Sequence, residues 1–192
     1  MIAERPTPRL KQLYDDEIAA KVKAEFNLAN VHEVPRVEKV VVNCGVGRFL
    51  ENQKLPQDFR DEVIDTLTRI SGQKPVIVKA KRSVSNFKVR EGAPSGIMVT
   101  MRRERMWNFL DRLMNLAIPR IKDFRGVKRT SFDPAGNYAF GLTEQAVWPE
   151  VNSAAIKKTH GMNVNIVVAN SNPRMSLYLL EQLGMPFQKL EN

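Results

Sequence analysis

Cys44 is the single cysteine of the chain and stands beside Gly45-Val46-Gly47. A thiol with an imidazole as base is a minimal set for nucleophilic chemistry, and the chain has two histidines, His32 and His160. Nothing in the sequence places either near Cys44, and no local signature surrounds the three. A lone cysteine at a strand end reads as a small buried hydrophobe. One Cys and two distant His cannot complete a tetrahedral set, so neither a metal site nor a cofactor is expected. Gly45-Val46-Gly47 lacks both the third glycine of a dinucleotide loop and the Gly-Lys-Ser/Thr of a phosphate loop. It reads either as a tight turn after a strand or as a place where a phosphate or ribose approaches the backbone. In the second case the amides of residues 43–48 and the Asn43 side chain are donors, helped by Arg48. The expected chemistry is binding rather than catalysis.

The basic residues point the same way. Gly72 to Phe132 holds fifteen Lys and Arg against four acids, a net of +11, whereas the whole chain is +9 and the flanks together sum to −2. A block of one sign repels itself unless a polyanion offsets it, so nucleic acid is the leading partner. In the densest part Lys79, Lys81, Arg82, Lys88 and Arg90 supply charge, and Ser83, Ser85 and Asn86 supply neutral donors. Phe87 reads equally as a stacking surface for an exposed base and as an anchor for the loop. Cation–phosphate contacts carry no sequence information, so shape recognition of structured RNA is the expected mode. A second patch, Arg120, Lys122, Arg125, Lys128 and Arg129, flanks Phe124 and Gly126; charge alone fits RNA or an acidic protein surface there.

The rest of the composition limits the setting. With 192 residues, 43% hydrophobic and 27% charged, the chain suffices for one ordinary domain with a core. Its longest aliphatic runs are too short to span a bilayer, and MIAERPTPRL has an acid and two prolines where a secretory leader needs an apolar stretch. The single cysteine fits a reducing compartment, and a cytoplasmic location is expected.

These candidates must be positioned by a short series of elements. Leu10, Leu13, Tyr14, Ile18, Val22 and Phe26 recur at three- and four-residue steps, predicting a helix over 9–26. After Pro35, Arg36 to Val46 reads as a strand. Phe59, Val63, Ile64, Leu67 and Ile70 mark a helix that Gly72 stops. Strands are predicted at 75–79 and 95–102, with the basic loop 80–94 as a long excursion between them. A helix with Met106, Phe109, Leu110, Leu113 and Ala117 on one face runs to Pro119. The second basic loop, 120–137, leads to strands at 137–142 and 163–169. Asn172-Pro173 opens a last helix that Gly184 ends. Together they predict a single α+β domain over 1–192, with a basic loop projecting from its sheet.

IVKAKRSVSNFKVREGAPSGIMVTMRRERMWNFLDRL (77–113), PRIKDFRGV (119–127) and SFDPAGNYAFGLTEQAVWPEV (131–151), preceded by VVVNCGVG (40–47), are similar to consecutive signatures of one family. It is the bacterial fifth large-subunit ribosomal protein, the 5S rRNA binder, and the likeness runs in order from about Leu10 to Phe187. The resemblance implies an antiparallel sheet with helices on one side, in the central protuberance of the large subunit. It implies that Asn43, Gly45 and Gly47 face 5S rRNA, and that the loop with Lys81, Arg82, Ser83 and Phe87 approaches P-site tRNA. It further implies an intersubunit bridge from residues 120–137 to small-subunit head protein thirteen. Large-subunit rRNA and other 5S rRNA-binding ribosomal proteins are the remaining implied partners. A general RNA-binding or RNA-chaperone module is the alternative reading of the same charge. Asp133-Pro134-Ala135-Gly136 stands where the family usually has Asp-Gly-Arg-Gly, and Trp148 where it usually has Phe. Asn163 stands where Asp is common, and the last helix is less acidic than usual.

Overall fold

Alternation along residues 36–46 makes a strand with one dry side. In the computed structural model, which describes residues 7–87 and 89–189, β1 (Arg36–Gly45) buries Val37, Val40, Val42 and Cys44 and leaves Lys39, Val41 and Asn43 partly exposed. The same rhythm appears in β5 (Met162–Ala169), where Met162, Val164, Ile166 and Val168 are buried between more exposed neighbours. β3 (Pro94–Met101) buries Ile97, Val99 and Met101. With β2 (Val76–Lys79) and β4 (Tyr138–Leu142) these strands form one five-stranded antiparallel sheet, in the order β2-β3-β1-β5-β4. The α+β expectation is borne out.

Two compact units share these strands. One comprises residues 41–100 and 141–164. Its helix, α3 (Gln57–Ser71), buries Phe59, Val63, Leu67 and Ile70 of the stripe expected from their spacing, while Ile64, expected on the same face, is only partly buried. Thr66 is buried as well, although its type did not suggest it. Gly72 ends the helix at φ 70°, donating its amide to the Thr68 carbonyl at 2.8 Å. Trp148 is fully buried in this unit. Each large side chain so buried is worth ~1.5–3 kcal/mol, which is why a stripe of four fixes the helix. Buried Gln145 organises the long return to β5: its amide nitrogen donates to the Lys158 carbonyl at 3.0 Å and its oxygen accepts from the His160 amide at 2.8 Å.

The other unit comprises described residues 7–40, 101–140 and 165–189. The first helix is α1 (Arg9–Leu13) continuing through a wide π turn, Tyr14–Ile18, into α2 (Ala19–Glu25). Leu10, Ile18 and Val22 are buried, while the π turn carries Tyr14, whose hydroxyl donates to the Pro35 carbonyl at 2.9 Å. Tyr14 also stacks on Trp107 at 5.5 Å. Arg9 pairs with Asp111 at 2.5 Å, joining α1 to α4 (Arg103–Arg112). A second π turn, Leu113–Ala117, and a 3-10 turn, Ile118–Arg120, extend α4, so Pro119 lies within the closing turn. α5 (Pro173–Gln182) starts as expected, the Asn172 side chain accepting from the Met175 amide at 2.9 Å. No described helix is long and apolar enough to cross a membrane.

Candidate nucleic-acid interface

Strand alternation decides what the end of β1 presents. Asn43 lies on the strand's less buried face, opposite Val42 and Cys44. On neighbouring β3, Gly96 shares that face: a Cβ there would sit 2.7 Å from the Asn43 side-chain oxygen and 3.2 Å from the Cys44 carbonyl. Met98 and Thr100 follow Gly96 at two-residue steps and are partly exposed. On β2, Val76 pairs with Met98 and Val78 with Gly96, so they extend the same face, with Val76 63% exposed. On β5, Asn163 is exposed, and a Cβ at Gly141 of β4 would lie 3.2 Å from its side-chain oxygen. The result is a partly exposed sheet face with two asparagines and two glycines. Sequence reasoning found Asn43 but missed Gly96, because the strand pairing that joins them is long-range.

A tight turn after Asn43 does not depend on the conformational freedom of its glycines. Neither Gly45 nor Gly47 has a positive φ, and a Cβ at either position meets nothing within 4 Å. No clash among the described residues requires glycine at either place. Both are exposed, and both leave the backbone open to an approaching molecule. The amide row 43–48 is also partly occupied: Val46 donates to the Ser95 carbonyl at 3.2 Å, fastening the turn to the start of β3. Arg48 sits in the 3-10 turn Gly47–Phe49 with its guanidinium 4.9 Å from the Phe49 ring centre. Phe49 rests on Phe59 of α3 at 4.3 Å.

The basic loop 80–94 is more ordered than an irregular excursion. Ala80 and Ala93 pair at its stem at 2.8 Å, and Val84 and Val89 exchange hydrogen bonds of 2.8 and 3.1 Å farther out. The Ser83 hydroxyl accepts from the Glu91 amide at 2.9 Å. Lys79, Lys81, Arg82 and Ser83 are all exposed. Lys88 and the Phe87 side chain lie outside the described residues.

In the other unit, Arg120, Lys122, Arg125 and Lys128 are exposed. Arg129 differs: it pairs with Glu181 at 2.5 Å and lies 5.9 Å from the Phe187 ring centre. Part of its charge is therefore neutralised within the chain. Val127 pairs with the segment around Phe187, donating to the Pro186 carbonyl at 2.9 Å and accepting from the Gln188 amide at 3.0 Å. Gly126 makes this pairing possible, at φ 103° and with the Gln188 backbone only 2.6 Å from where a Cβ would stand. Phe124, Arg125, Lys128, Arg129, Phe187 and Lys189 line the cleft alongside. At the atypical 133–136 turn, both carboxylate oxygens of Asp133 accept from Asn137, one from the amide at 2.7 Å and one from the side chain at 2.8 Å. These bonds hold the Asp133 carboxyl below the usual range. Gly136, at φ 82°, is also sterically required, since a Cβ would lie 2.8 Å from the Ser176 hydroxyl. Asp133 and Gly136 are thus the two residues that shape the turn.

Cys44 is buried, and burial pushes its thiol up to about 12. A thiol so protonated is no nucleophile at neutral pH. Among the described residues no three His, Cys, Asp or Glu side chains gather as metal ligands.

Comparison with known proteins adds an independent line. Residues 30–90 match the family model described as ribosomal protein L5, and residues 94–187 match the model for the C-terminus of the same ribosomal protein family. The large ribosomal subunit protein uL5 of Trichlorobacter lovleyi is 49% identical over 180 residues, covering 94% of this chain and 98% of that protein. The protein of the same name from Leifsonia xyli is 48% identical over 184 residues, 96% of this chain and 92% of the relative. That of Campylobacter jejuni is 49% identical over 181 residues, 94% and 98% of the two chains. With two consecutive family models matched and relatives this similar over nearly their full length, the chain belongs to the ribosomal protein L5 family.

Proposed function

We infer that this chain holds 5S rRNA through the turn that ends β1 and the partly exposed sheet face beside it. As an L5-family member it is a structural constituent of the large ribosomal subunit, not an enzyme, and works in the cytoplasmic ribosome. The observation that carries the 5S reading is the bare backbone at Gly45 and Gly47, adjoining Asn43 on that face. No clash among the described residues demands glycine there, whereas an RNA backbone docking closely would. Asn43 can donate and accept towards ribose hydroxyls and base edges, and Arg48 supplies charge at the rim.

The basic hairpin at 80–94, with Lys79, Lys81, Arg82, Ser83, Phe87 and Lys88, is the contact to P-site tRNA in this proposal. The 120–137 loop, with Arg120, Lys122, Arg125, Lys128 and Arg129, is the bridge to small-subunit head protein thirteen. Large-subunit rRNA and other 5S rRNA-binding proteins complete the surroundings in the central protuberance. The whole chain acts there as a single domain. Filter-binding titrations against 5S rRNA, tRNA and a random RNA duplex at several salt concentrations test the RNA assignment. Shape recognition predicts a preference for 5S rRNA that persists as salt rises. Equal binding to all three, collapsing together, would instead indicate a general RNA-binding module.

A further inference from the structure

The segment after the strand-end turn contains a locally unfavourable residue with an unusual contact. Glu51 and Lys54 exchange backbone hydrogen bonds of 2.9 Å each, closing a two-residue hairpin over Asn52 and Gln53. Such a hairpin twists correctly when both central residues have positive φ, and here φ is 48° at Asn52 and 66° at Gln53. Asn tolerates the left-handed region; at the second position glycine is the ordinary solution, and a glutamine side chain is strained. Gln53 nevertheless occupies it, and its side-chain oxygen accepts the Arg90 amide of the basic hairpin at 3.0 Å. A depression next to this bond is lined by Gln53, Ser83, Ser85, Val89 and Glu91.

The base of the small hairpin is itself anchored. Phe49 packs on Phe59, and its amide donates to the Val46 carbonyl at 2.9 Å. A short, hydrogen-bonded path therefore runs from the turn carrying Arg48, through residues 49–53, to the backbone of the basic hairpin at Arg90. Strain kept at a residue whose side chain braces another element is a sign that the brace matters.

We propose that Gln53 is a positioning residue that couples the strand-end turn to the basic hairpin. RNA bound at residues 43–48 steadies the 51–54 hairpin, and Gln53 transmits that order to the segment presenting Lys81 and Arg82. The proposal rests on the 5S rRNA reading above for its first half and on the Gln53–Arg90 contact for its second.

Amide hydrogen exchange by NMR on the full chain, free and bound to 5S rRNA, separates the two halves. The variants are Gln53→Ala, Gln53→Gly, which removes the side chain and relieves the strain together, and Gln53→Glu, which keeps an acceptor of the same length. In the free protein, Arg90 should exchange about tenfold faster in Gln53→Ala and Gln53→Gly, with Gln53→Glu near wild type. Adding 5S rRNA should slow the amides of Val89, Arg90 and Glu91 in wild type but not in Gln53→Ala, with affinity changed by no more than about twofold. Unchanged Arg90 exchange in Gln53→Ala and Gln53→Gly, with the Glu51 and Lys54 amides still protected, would overturn the brace. Equal slowing by RNA in wild type and Gln53→Ala would overturn the coupling. Failure of wild type to bind 5S rRNA would overturn the interface reading instead, and the free-protein difference at Arg90 would remain visible.

Discussion

At the scale of single residues, the glycines separate into two kinds that look alike in sequence. Gly126, Gly136 and Gly161 each occupy a place where a Cβ would lie under 3.0 Å from another atom with backbone crowding the same space, so the fold itself requires them. Gly45 and Gly47 face open space, so a side chain there would disturb the proposed RNA contact rather than the fold. His160 is a residue-scale constraint of another sort. It is buried edge-on to Phe59 at 5.9 Å, and burial lowers its proton affinity against smaller opposing effects from the Lys158 backbone and Glu62. Its folded pKa therefore lies below the unfolded value of about 6.5. Stability from a neutral His160 is complete above that value and is lost as pH falls through the folded pKa, because the unfolded chain binds the proton more readily. Urea midpoints at pH 7.5 and pH 5 should differ more in wild type than in His160→Gln; equal differences would contradict this account.

At the scale of elements, period and punctuation carried most of the fold into view. The four-residue steps of α3, the Asn172-Pro173 start of α5 and the alternation of β1 and β5 are local signals, and local physics decides them. The π turns were not legible because their setting is tertiary: Tyr14 reaches Pro35 and Trp107, residues far along the chain. The hairpin within 80–94 was hidden by its polarity, since its order comes from backbone pairing and the Gln53 contact rather than an apolar stripe. Arg129 looked like one cation among five, but Glu181, fifty-two positions later, occupies it. Pairing between residues 126–128 and the 186–188 segment was equally invisible, and it yields an element-level prediction. Gly126→Ala combines an unfavourable φ with backbone overlap and should destabilise the fold by about 2 kcal/mol or more. Chemical denaturation measures this; an unchanged midpoint would mean that the pairing is dispensable.

At the scale of the whole molecule, the charge asymmetry makes a division of labour testable. Residues 72–132 carry +11 while the flanks sum to −2, so the long-range attraction for RNA is concentrated in the middle of the chain. Removing the charges of Lys81 and Arg82 together should leave 5S rRNA affinity nearly unchanged and weaken tRNA positioning in assembled ribosomes. Loss of 5S rRNA binding from that change alone would show that the basic hairpin, not the strand-end turn, holds the RNA. The central claim is tested most directly at Gly45, because the fold leaves room for a side chain there. The measurement is 5S rRNA affinity of Gly45→Val at low and high salt, with thermal unfolding recorded alongside. Close docking of RNA on the Gly45 backbone predicts a normally folded protein whose affinity falls by about tenfold or more, ~1.4 kcal/mol, at both salt concentrations. Wild-type affinity in the folded variant would contradict it and move the RNA interface away from the end of β1.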